Sequence, residues 1–181
     1  PMVAHVVNMF SDQDEYVFIA NHEQLNENPE MESYLKSLVK KVKVVGIEIH
    51  ELGPMFSILQ AKNEINMSQE TIVTYCDFFV KWDYEKFKRE VFGYDGAAPA
   101  FRGLHPASFG ETYYAYMRVN SDNELEELRE KMSFTDTRHE EHASSGIYFF
   151  KNAQILLKYA DELFEGNDFS GLKEGYTSLL L

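Results

Sequence analysis

The sequence predicts an α/β protein in which a mixed, Rossmann-like β-sheet is covered by helices on both faces. In the first half, short apolar runs alternate with helical segments, an order typical of a parallel sheet. In the second half, several strand-like runs follow one another without helices between them, which indicates a mixed or antiparallel extension of that sheet. With 44% hydrophobic residues in 181 positions, the chain has enough apolar side chains for one ordinary core.

Four helices and three strands are predicted in the first half. The helices are expected near 2–10, 30–41, 54–65 and 83–92, and the strands at 16–20, 42–49 and 72–75. The second helix has apolar residues three and four positions apart, such as Met31, Leu35 and Leu38, which form one face. Pro54 is suited to the first position of its helix, and Asp83 to the N-cap of the last one.

The second half is predicted to add four strands and one complete helix. The strands are expected at 96–102, 113–119, 125–129 and 146–150, the helix at 152–164, and the start of another helix at 171–181. The apolar residues that follow Pro1 begin without a capping residue, and the apolar run that reaches Leu181 has no stop signal. We therefore expect residues 1–181 to be a single domain that is truncated at both ends.

The formal charge of −13, from 30 acidic and 17 basic residues, limits the partners of the protein. Binding to nucleic acid or to anionic lipid needs basic groups that neutralise phosphates, so both are excluded. A small substrate is favoured, and a phosphorylated one would need a local basic pocket or a divalent cation. The residues from Pro1 to His5 do not read as a secretory signal, and we expect no membrane helix, because no apolar run approaches the ~18–20 residues that one requires. A single cysteine, Cys76, excludes an internal disulfide and fits a cytoplasmic protein.

Asp77 is the first candidate for a functional residue. It follows the apolar strand 72–75, and ligands of open parallel sheets bind outside the carboxyl ends of the strands. A carboxylate there can hold Mg²⁺, which takes one or two protein carboxylates together with phosphate oxygens. A helix-capping or loop aspartate is the alternative. The neighbouring Cys76 has no adjacent cation and is predicted to be a buried structural thiol.

Two glycine-containing turns offer further candidates. Leu52 and Gly53 precede a predicted helix, where glycine would let a ligand approach the backbone and the helix start would offer N–H groups. The alternative is a plain turn. Arg102 and His105 flank Gly103 after a predicted strand, and arginine can bind a phosphate or carboxylate through two parallel hydrogen bonds. Alternatively, Arg102 pairs with a surface carboxylate.

The remaining candidates are weaker when taken singly. Glu130 and Lys131 follow a strand-like run, although such a pair is common on any surface. Ser145 and Gly146 begin the last predicted strand, where small residues permit close approach of a ligand or simply make a tight strand entry. The two histidines of the run 138–142 suggest a metal site, but no third ligand is near, and a solvated loop is favoured.

The order of these motifs along nearly the whole chain resembles the sugar nucleotidyltransferases, which have the nucleotide-diphospho-sugar transferase fold. That family has, in order, a Leu-Gly turn before a helix, a strand ending in a metal-binding aspartate, a Glu-Lys pair and a small-residue strand entry. The corresponding motifs here are Leu52-Gly53, Cys76-Asp77, Glu130-Lys131 and Ser144-Ser145-Gly146. The opening Pro1-Met2-Val3 is similar to the family's Lys-Pro-Met-Ile phrase.

Within the family, the chain is most similar to the branch associated with capsular polysaccharide synthesis. Members of that branch share Tyr-Cys-Asp-Phe, Gly-x-His-Pro, Phe-Thr-Asp and Ala-Ser-Ser-Gly. The same motifs occur in this chain at 75–78, 103–106, 134–136 and 143–146. The combination is fairly specific for the superfamily and poorly specific for the substrate.

The resemblance implies a nucleotidyl transfer that joins a nucleoside triphosphate (NTP) to a phosphorylated sugar or other small metabolite and releases pyrophosphate. Asp77 would bind Mg²⁺ and would be catalytic together with Lys131. Leu52, Gly53 and Asp77 would bind the nucleotide. The second substrate would contact residues of the later motifs: Arg102, His105, Glu130, Lys131, Ser145 and Gly146. A homo-oligomer is compatible with the family.

Two departures from the family pattern bear on these expectations. The family's first strand and the glycine-rich loop that holds the triphosphate would lie before Pro1. Their absence would impair catalysis and leave a gap in the sheet. The family's second metal-binding aspartate also has no direct counterpart. Gly171 occupies the expected position, and Asp168 or Glu174 could substitute for it.

Two other functions therefore stay open. One is a glycosyltransferase of the same fold, although the Asp-x-Asp motif that it would use is absent, since Asp77 is followed by Phe78 and Phe79. The other is a non-catalytic module that binds a nucleotide or mediates oligomerisation.

Overall fold

The computed structural model describes residues 1–105, 114–166, 169 and 171–181. These residues form a mixed α/β fold. The α-helices are α1 (Met2–Val7), α2 (His22–Glu27), α3 (Pro29–Leu38), α4 (Pro54–Gln60), α5 (Tyr84–Glu90) and α6 (Ala153–Gly166). The strands are β1 (Glu15–Asn21), β2 (Lys41–Ile47), β3 (Thr71–Thr74), β4 (Gly96–Ala97), β5 (Ala100–Phe101), β6 (Ala115–Val119), β7 (Leu125–Glu130), β8 (His142–Ser144) and β9 (Ile147–Phe150).

Strands β1 and β2 form a parallel pair, as the sequence predicts. Tyr16 lies opposite Val42, and the register continues to Asn21 opposite Ile47. The predicted helix between the strands is confirmed as α3. The short helix α2 was not predicted because it is polar and has no apolar face; the Asn21 side chain caps it by accepting a hydrogen bond of 2.7 Å from the amide of Gln24.

The other strands form two antiparallel sheets, in the orders β3-β9-β4 and β5-β8-β6-β7. The antiparallel character of the second half is therefore confirmed, and β3 differs from expectation. It was predicted to belong to the parallel part of the sheet, but it pairs antiparallel with β9. In the described part of the chain, β1 is hydrogen-bonded to β2 alone. The absence of a family strand beside it stays a prediction.

Helices cover both faces of β9, as predicted. Side chains of a strand point alternately to its two faces. On one face, Tyr148 and Phe150 join a buried cluster with residues of α4 and α6: Met55, Ile58, Leu156, Leu157 and Ala160. On the other face, Ile147 packs with Val6 of α1, and the ring of Phe149 lies 6.3 Å from that of Phe87 in α5.

A bend at Ser145 and Gly146 joins β8 to β9. Gly146 has a φ of +71°, a left-handed conformation that favours glycine. The amide and the hydroxyl of Ser145 both donate to the carbonyl of Pro99 at 3.0 Å. The solvated loop predicted for 138–142 is wrong at its end, because His142 begins β8 and pairs with Met117.

The segment 171–181 returns across the molecule to the strands. The α-helix predicted to start there is wrong; only Thr177–Leu180 is helical, and it forms a short 3₁₀ helix. Thr177 and Ser178 are almost completely buried, with 0% and 1% of their surface exposed. The burial of these two polar residues shows that the segment is packed into the interior of the fold.

No α-helix in the described ranges has the length and apolar character needed to cross a membrane.

Candidate active site

The residues after β3 and the bend before β9 form one edge of their sheet, and Glu130 at the end of β7, a strand of the other sheet, lies near enough to affect the pKa of Tyr75. Strand β3 ends at Thr74, opposite Ile147, so the residues that follow β3 lie beside the bend at Gly146. A Cβ atom placed on Gly146 would lie 3.2 Å from the Tyr75 ring and 2.4 Å from the Phe78 ring. The small residue predicted at this strand entry therefore lets two aromatic rings approach the backbone closely.

One partly buried tyrosine, Tyr75, and one buried tyrosine, Tyr148, line the inner side of this edge. The rings of Tyr75 and Tyr148 are 6.4 Å apart and nearly perpendicular. The Ser144 hydroxyl donates to Tyr148 Oη at 3.0 Å and accepts from the amide of Gly146 at the same distance. Burial raises the pKa of Tyr75 to about 12 and also raises the pKa of Tyr148. Both phenols are consequently neutral in the physiological range.

Glu130, at the end of β7, faces these tyrosines. Its side chain is half-buried, and the Ser178 hydroxyl donates a hydrogen bond to its carboxylate. Burial raises the pKa of Glu130, while the bond from Ser178 and the nearby charge of Lys131 oppose the shift. The Glu130 charge in turn contributes to the raised pKa values of Tyr75 and Tyr148, so the three groups share one environment.

Lys131 follows Glu130 and carries its ammonium group to the outer side of the same edge. Its backbone is left-handed, with a φ of +55°, and its amide donates to the Tyr114 carbonyl at 3.0 Å. The Lys131 Nζ atom lies 4.2 Å from the centre of the Tyr176 ring and donates to the hydroxyl of that tyrosine. The Tyr176 hydroxyl donates to Glu174 Oε2 at 2.9 Å. The hydrogen bond with Tyr176 raises the pKa of Lys131.

Asp77 lies beyond the carboxyl end of β3, as predicted, and is exposed. The described residues contain no group of three or more side chains that could hold a metal ion. Mg²⁺ does not require such a cage, because it binds through one or two carboxylates with water and phosphate oxygens. The donor set at Asp77 therefore fits a metal held jointly with phosphates. Cys76 beside it is exposed, so the prediction of a buried thiol is wrong; the strand ends before Cys76, and the chain turns outward.

The turn at Leu52 and Gly53 is formed as predicted, but the segment 174–175 of the same chain packs against it where a ligand was expected. Gly53 has a φ of +88°, and a Cβ atom there would lie 2.8 Å from Glu174 Cβ and 2.9 Å from the backbone of Gly175. The Gly175 carbonyl also accepts from the amide of Met55 at 3.1 Å. The first free amide of α4 is therefore bonded to this segment, and the exposed group of the turn is the Leu52 side chain.

The structure separates Arg102 from His105. Arg102 Nε donates to the Glu140 carbonyl at 2.7 Å, at the end of β8 away from Ser145. His105 Nδ1 lies 2.6 Å from Tyr114 Oη, and the backbone of Tyr114 is bonded to that of Lys131. His105 is thus connected to the edge that holds Lys131, whereas the Arg102 guanidinium is engaged with the loop before β8.

Some predicted features lie outside the described residues. Pro106, the beginning of the strand predicted at 113 and the alternative metal ligand Asp168 belong to this group. Gly171 is among the described residues. Its φ of +80° describes its backbone conformation and gives no evidence of a metal ligand.

Sequence reasoning missed the second layer of the edge, which consists of Tyr75, Tyr148, Tyr176 and Ser178. Tyrosine and serine are common residue types, and none of these four stands in a spacing that indicates a site. Their contacts join distant parts of the chain, such as Ser178 with Glu130. The signals that could have indicated two of them are the motif at 75–78, which contains Tyr75, and the position of Tyr148 in a predicted strand.

The chain has the fold of the nucleotide-sugar nucleotidyltransferases. A nucleoside-diphosphate-sugar pyrophosphorylase from Vibrio cholerae RC9 is similar, with a TM-score of 0.75 and 16% identity over 99% of this chain and 72% of that one. A UDP-glucose pyrophosphorylase solved with UDP-glucose has a TM-score of 0.67 and 13% identity over 99% of this chain and 73% of its own. HddC from Yersinia pseudotuberculosis, complexed with GMP-PN, has a TM-score of 0.55 and 17% identity over 90% of this chain and 62% of its own.

Identities this low establish the fold and nothing finer. No protein-family model and no curated protein matches the sequence.

Proposed function

We propose that the protein is a nucleotidyltransferase that joins an NTP to a phosphorylated sugar or a similar small metabolite and releases pyrophosphate. The observation that supports this most strongly is that Glu130, next to Lys131, and the Gly146 bend both lie near Tyr75, two residues before Asp77. The fold that carries this edge is shared with nucleotide-sugar pyrophosphorylases.

In the proposed reaction, an oxygen of the acceptor's phosphate bonds to the α-phosphorus of the triphosphate. The bond from that phosphorus to the pyrophosphate oxygen breaks, and pyrophosphate leaves with the electron pair. Both reactants are anions, and the chain has a formal charge of −13. Local cations must therefore offset the repulsion, which is the main task of a protein in such transfers.

Lys131 and Asp77 are the residues we assign to this charge balance. The Lys131 ammonium would contact a phosphate oxygen of the reacting groups. Asp77 would hold Mg²⁺ together with phosphate oxygens of the nucleotide. When bound, the metal would withdraw negative charge from the phosphates.

The remaining predicted residues divide between two subsites. The Leu52–Gly53 turn would hold the nucleotide through the exposed Leu52 side chain, because the α-carbon of Gly53 is covered by Gly175. Glu130, Ser145 and Gly146 would shape the subsite of the second substrate, and His105 would reach it through Tyr114. Arg102 would act there only if it left its bond to Glu140.

We further propose a role in surface polysaccharide synthesis, based on the capsular-branch motifs in the sequence. The reaction would take place in the cytoplasm, where nucleoside triphosphates are made. Glycosyl transfer is less well supported, because the compared structures named above include two pyrophosphorylases and the Asp-x-Asp motif is absent after β3.

The test is a pyrophosphate-release screen of the four NTPs with Mg²⁺ and a panel of sugar phosphates and other phosphorylated metabolites. It is run on this chain and on the whole reading frame that contains it. We expect pyrophosphate release with one nucleotide and a narrow set of acceptors. Release of a nucleoside diphosphate from a nucleotide sugar would instead indicate glycosyl transfer. Silence of the whole reading frame across the panel would refute nucleotidyl transfer and favour a non-catalytic module.

A further inference from the structure

The segment 174–178 contacts both proposed subsites. On the nucleotide side, the Gly175 amide donates to the Leu52 carbonyl at 2.9 Å, and the Gly175 carbonyl accepts from Met55. On the second-substrate side, Ser178 is bonded to Glu130. Tyr176 lies between these anchors in the sequence. The backbone on either side of Tyr176 is therefore fixed, and its ring has a defined place in the fold.

A lysine at an exposed edge normally samples many rotamers, and holding its four-carbon chain in one of them has an entropic cost. Lys131 has two contacts that oppose this freedom. Its ammonium lies over the ring of Tyr176, and it donates a hydrogen bond to the hydroxyl of the same residue. The Tyr176 hydroxyl donates its proton to Glu174, so its oxygen lone pairs can accept the hydrogen bond from Lys131.

A second lysine–tyrosine pair shows that ring contact alone does not create this arrangement. On α6, Lys158 Nζ lies 5.1 Å from the centre of the Tyr159 ring, and it pairs with Glu162 at 3.7 Å. These residues are neighbours on an exposed helix face, and 43% of the Tyr159 surface is exposed. Tyr159 is therefore a natural control for Tyr176.

We propose that Tyr176 is a positioning residue that fixes the Lys131 ammonium relative to the Leu52–Gly53 turn, where the ammonium receives the phosphate of the second substrate. The proposal rests on the nucleotidyl transfer proposed above. Tyr176 touches no substrate in this scheme; it acts through Lys131. The distance between the two subsites is set by the short backbone connection from Gly175 to Tyr176.

The test compares Tyr176→Phe with Tyr159→Phe. Each variant keeps the aromatic ring and loses one hydroxyl, so both are expected to fold, and urea denaturation checks this. In the active enzyme, Tyr176→Phe should raise the KM for the phosphorylated substrate about tenfold or more, the size expected for one hydrogen bond to a charged group. The KM for the nucleotide should change by less than about twofold, and Tyr159→Phe should leave both constants unchanged.

A second readout does not depend on turnover. The Lys131 side chain is followed by NMR with labelled lysine and is assigned with Lys131→Arg. Its pKa should be lower in Tyr176→Phe than in the unaltered protein, because the hydrogen bond that Lys131 donates to Tyr176 is the main cause of its raised value. Tyr159→Phe should not move the Lys131 signal.

The two readouts separate the two proposals. If no nucleotide is turned over but the Lys131 pKa falls in Tyr176→Phe, nucleotidyl transfer is refuted, and the role of Tyr176 as a support for Lys131 is upheld. If the enzyme is active and the Lys131 pKa or the KM for the phosphorylated substrate is the same in Tyr176→Phe, the positioning role is overturned. A nucleotide KM that rises equally would show a general structural effect and would also overturn it.

Discussion

The amide of Gly175 donates to the carbonyl of Leu52 at 2.9 Å, although the two residues are 123 positions apart in the sequence. This bond closes the turn that precedes α4 from the outside. A Cβ atom at Gly53 would lie 2.9 Å from the backbone of Gly175, which explains why a glycine is needed there. The turn at 52–53, where the sequence predicts a ligand, is thus also a contact between two distant segments of the protein.

The first prediction concerns this contact between the turn at 52–53 and segment 174–176. Gly53→Ala should destabilise the protein by about 1–3 kcal/mol, because alanine is strained at a positive φ and its methyl group would overlap Glu174 and Gly175. Urea denaturation measures the loss. Gly166→Ala is the matched control, since nothing lies within 4 Å of a Cβ there. Equal stability of the two variants would show that segment 174–176 does not hold the turn.

The second prediction concerns the bend between β8 and β9. Gly146→Ala should cost about 1–3 kcal/mol, because its φ is positive and the new methyl group would overlap the Phe78 ring. The cost should be smaller in a Phe78→Ala background, where only the backbone strain is left. A double-mutant cycle by urea denaturation tests this. Strictly additive losses would mean that the ring does not press on Gly146.

The third prediction concerns the pH dependence of stability at Glu130. Burial raises the pKa of Glu130 above its unfolded value, so the folded protein holds this proton more tightly. The resulting stabilisation is complete below the unfolded pKa and is lost as the pH rises through the folded pKa. Glu130→Gln keeps an acceptor for Ser178 and does not ionise.

Glu130→Gln should therefore gain stability relative to the unaltered protein as the pH rises above the unfolded pKa of glutamate, about 4.3, and the gain should level off above the raised folded pKa. Urea denaturation across this pH range provides the measurement, and Glu126→Gln, at an exposed position of the same strand, is the control. A difference between Glu130→Gln and the unaltered protein that is flat with pH, or that falls, would contradict the burial of the Glu130 charge.

The fourth prediction concerns Asp77 and the metal. In the proposed reaction, Asp77→Ala should lower kcat/KM about 100-fold or more, because the remaining groups at the edge cannot hold Mg²⁺ near the nucleotide. Steady-state kinetics over a range of Mg²⁺ concentrations measures the effect. Asp161→Ala, which removes an exposed carboxylate of α6, should leave the rate unchanged. Full activity of Asp77→Ala would remove Asp77 from the metal site.

Local patterns in the sequence predicted most of the fold. The apolar strands β1 to β3 and the helix α3 are recognised from a few adjacent residues. The same is true of the N-cap of α5, where Asp83 accepts from the Lys86 amide at 2.9 Å. By contrast, β8 has only three residues, and its pairing with β6 and β5 depends on strands distant in sequence. Propensity within such a short window does not distinguish it from a loop.

The candidate site also has one part that local sequence patterns predict and one part that they do not. Asp77 and Gly146 were located because each stands at the end of a recognisable strand. The partners of Lys131 could not be predicted, because Tyr176 follows an irregular segment whose path is set by its bonds to Leu52 and Met55. The charge and residue type of Lys131 do not reveal which distant side chain will contact it.

The segment 174–178 also affects the order in which the protein can fold. It lies after every strand of the described fold, and its bonds to Leu52 and Glu130 span 123 and 48 positions of the sequence. Contacts of such large sequence separation form late, because closing a long loop loses chain entropy before any contact compensates. On the ribosome, the strands can pair while synthesis continues. The hydrogen bonds of Glu130 with Ser178 and of Lys131 with Tyr176 form only after residues 174–178 have emerged.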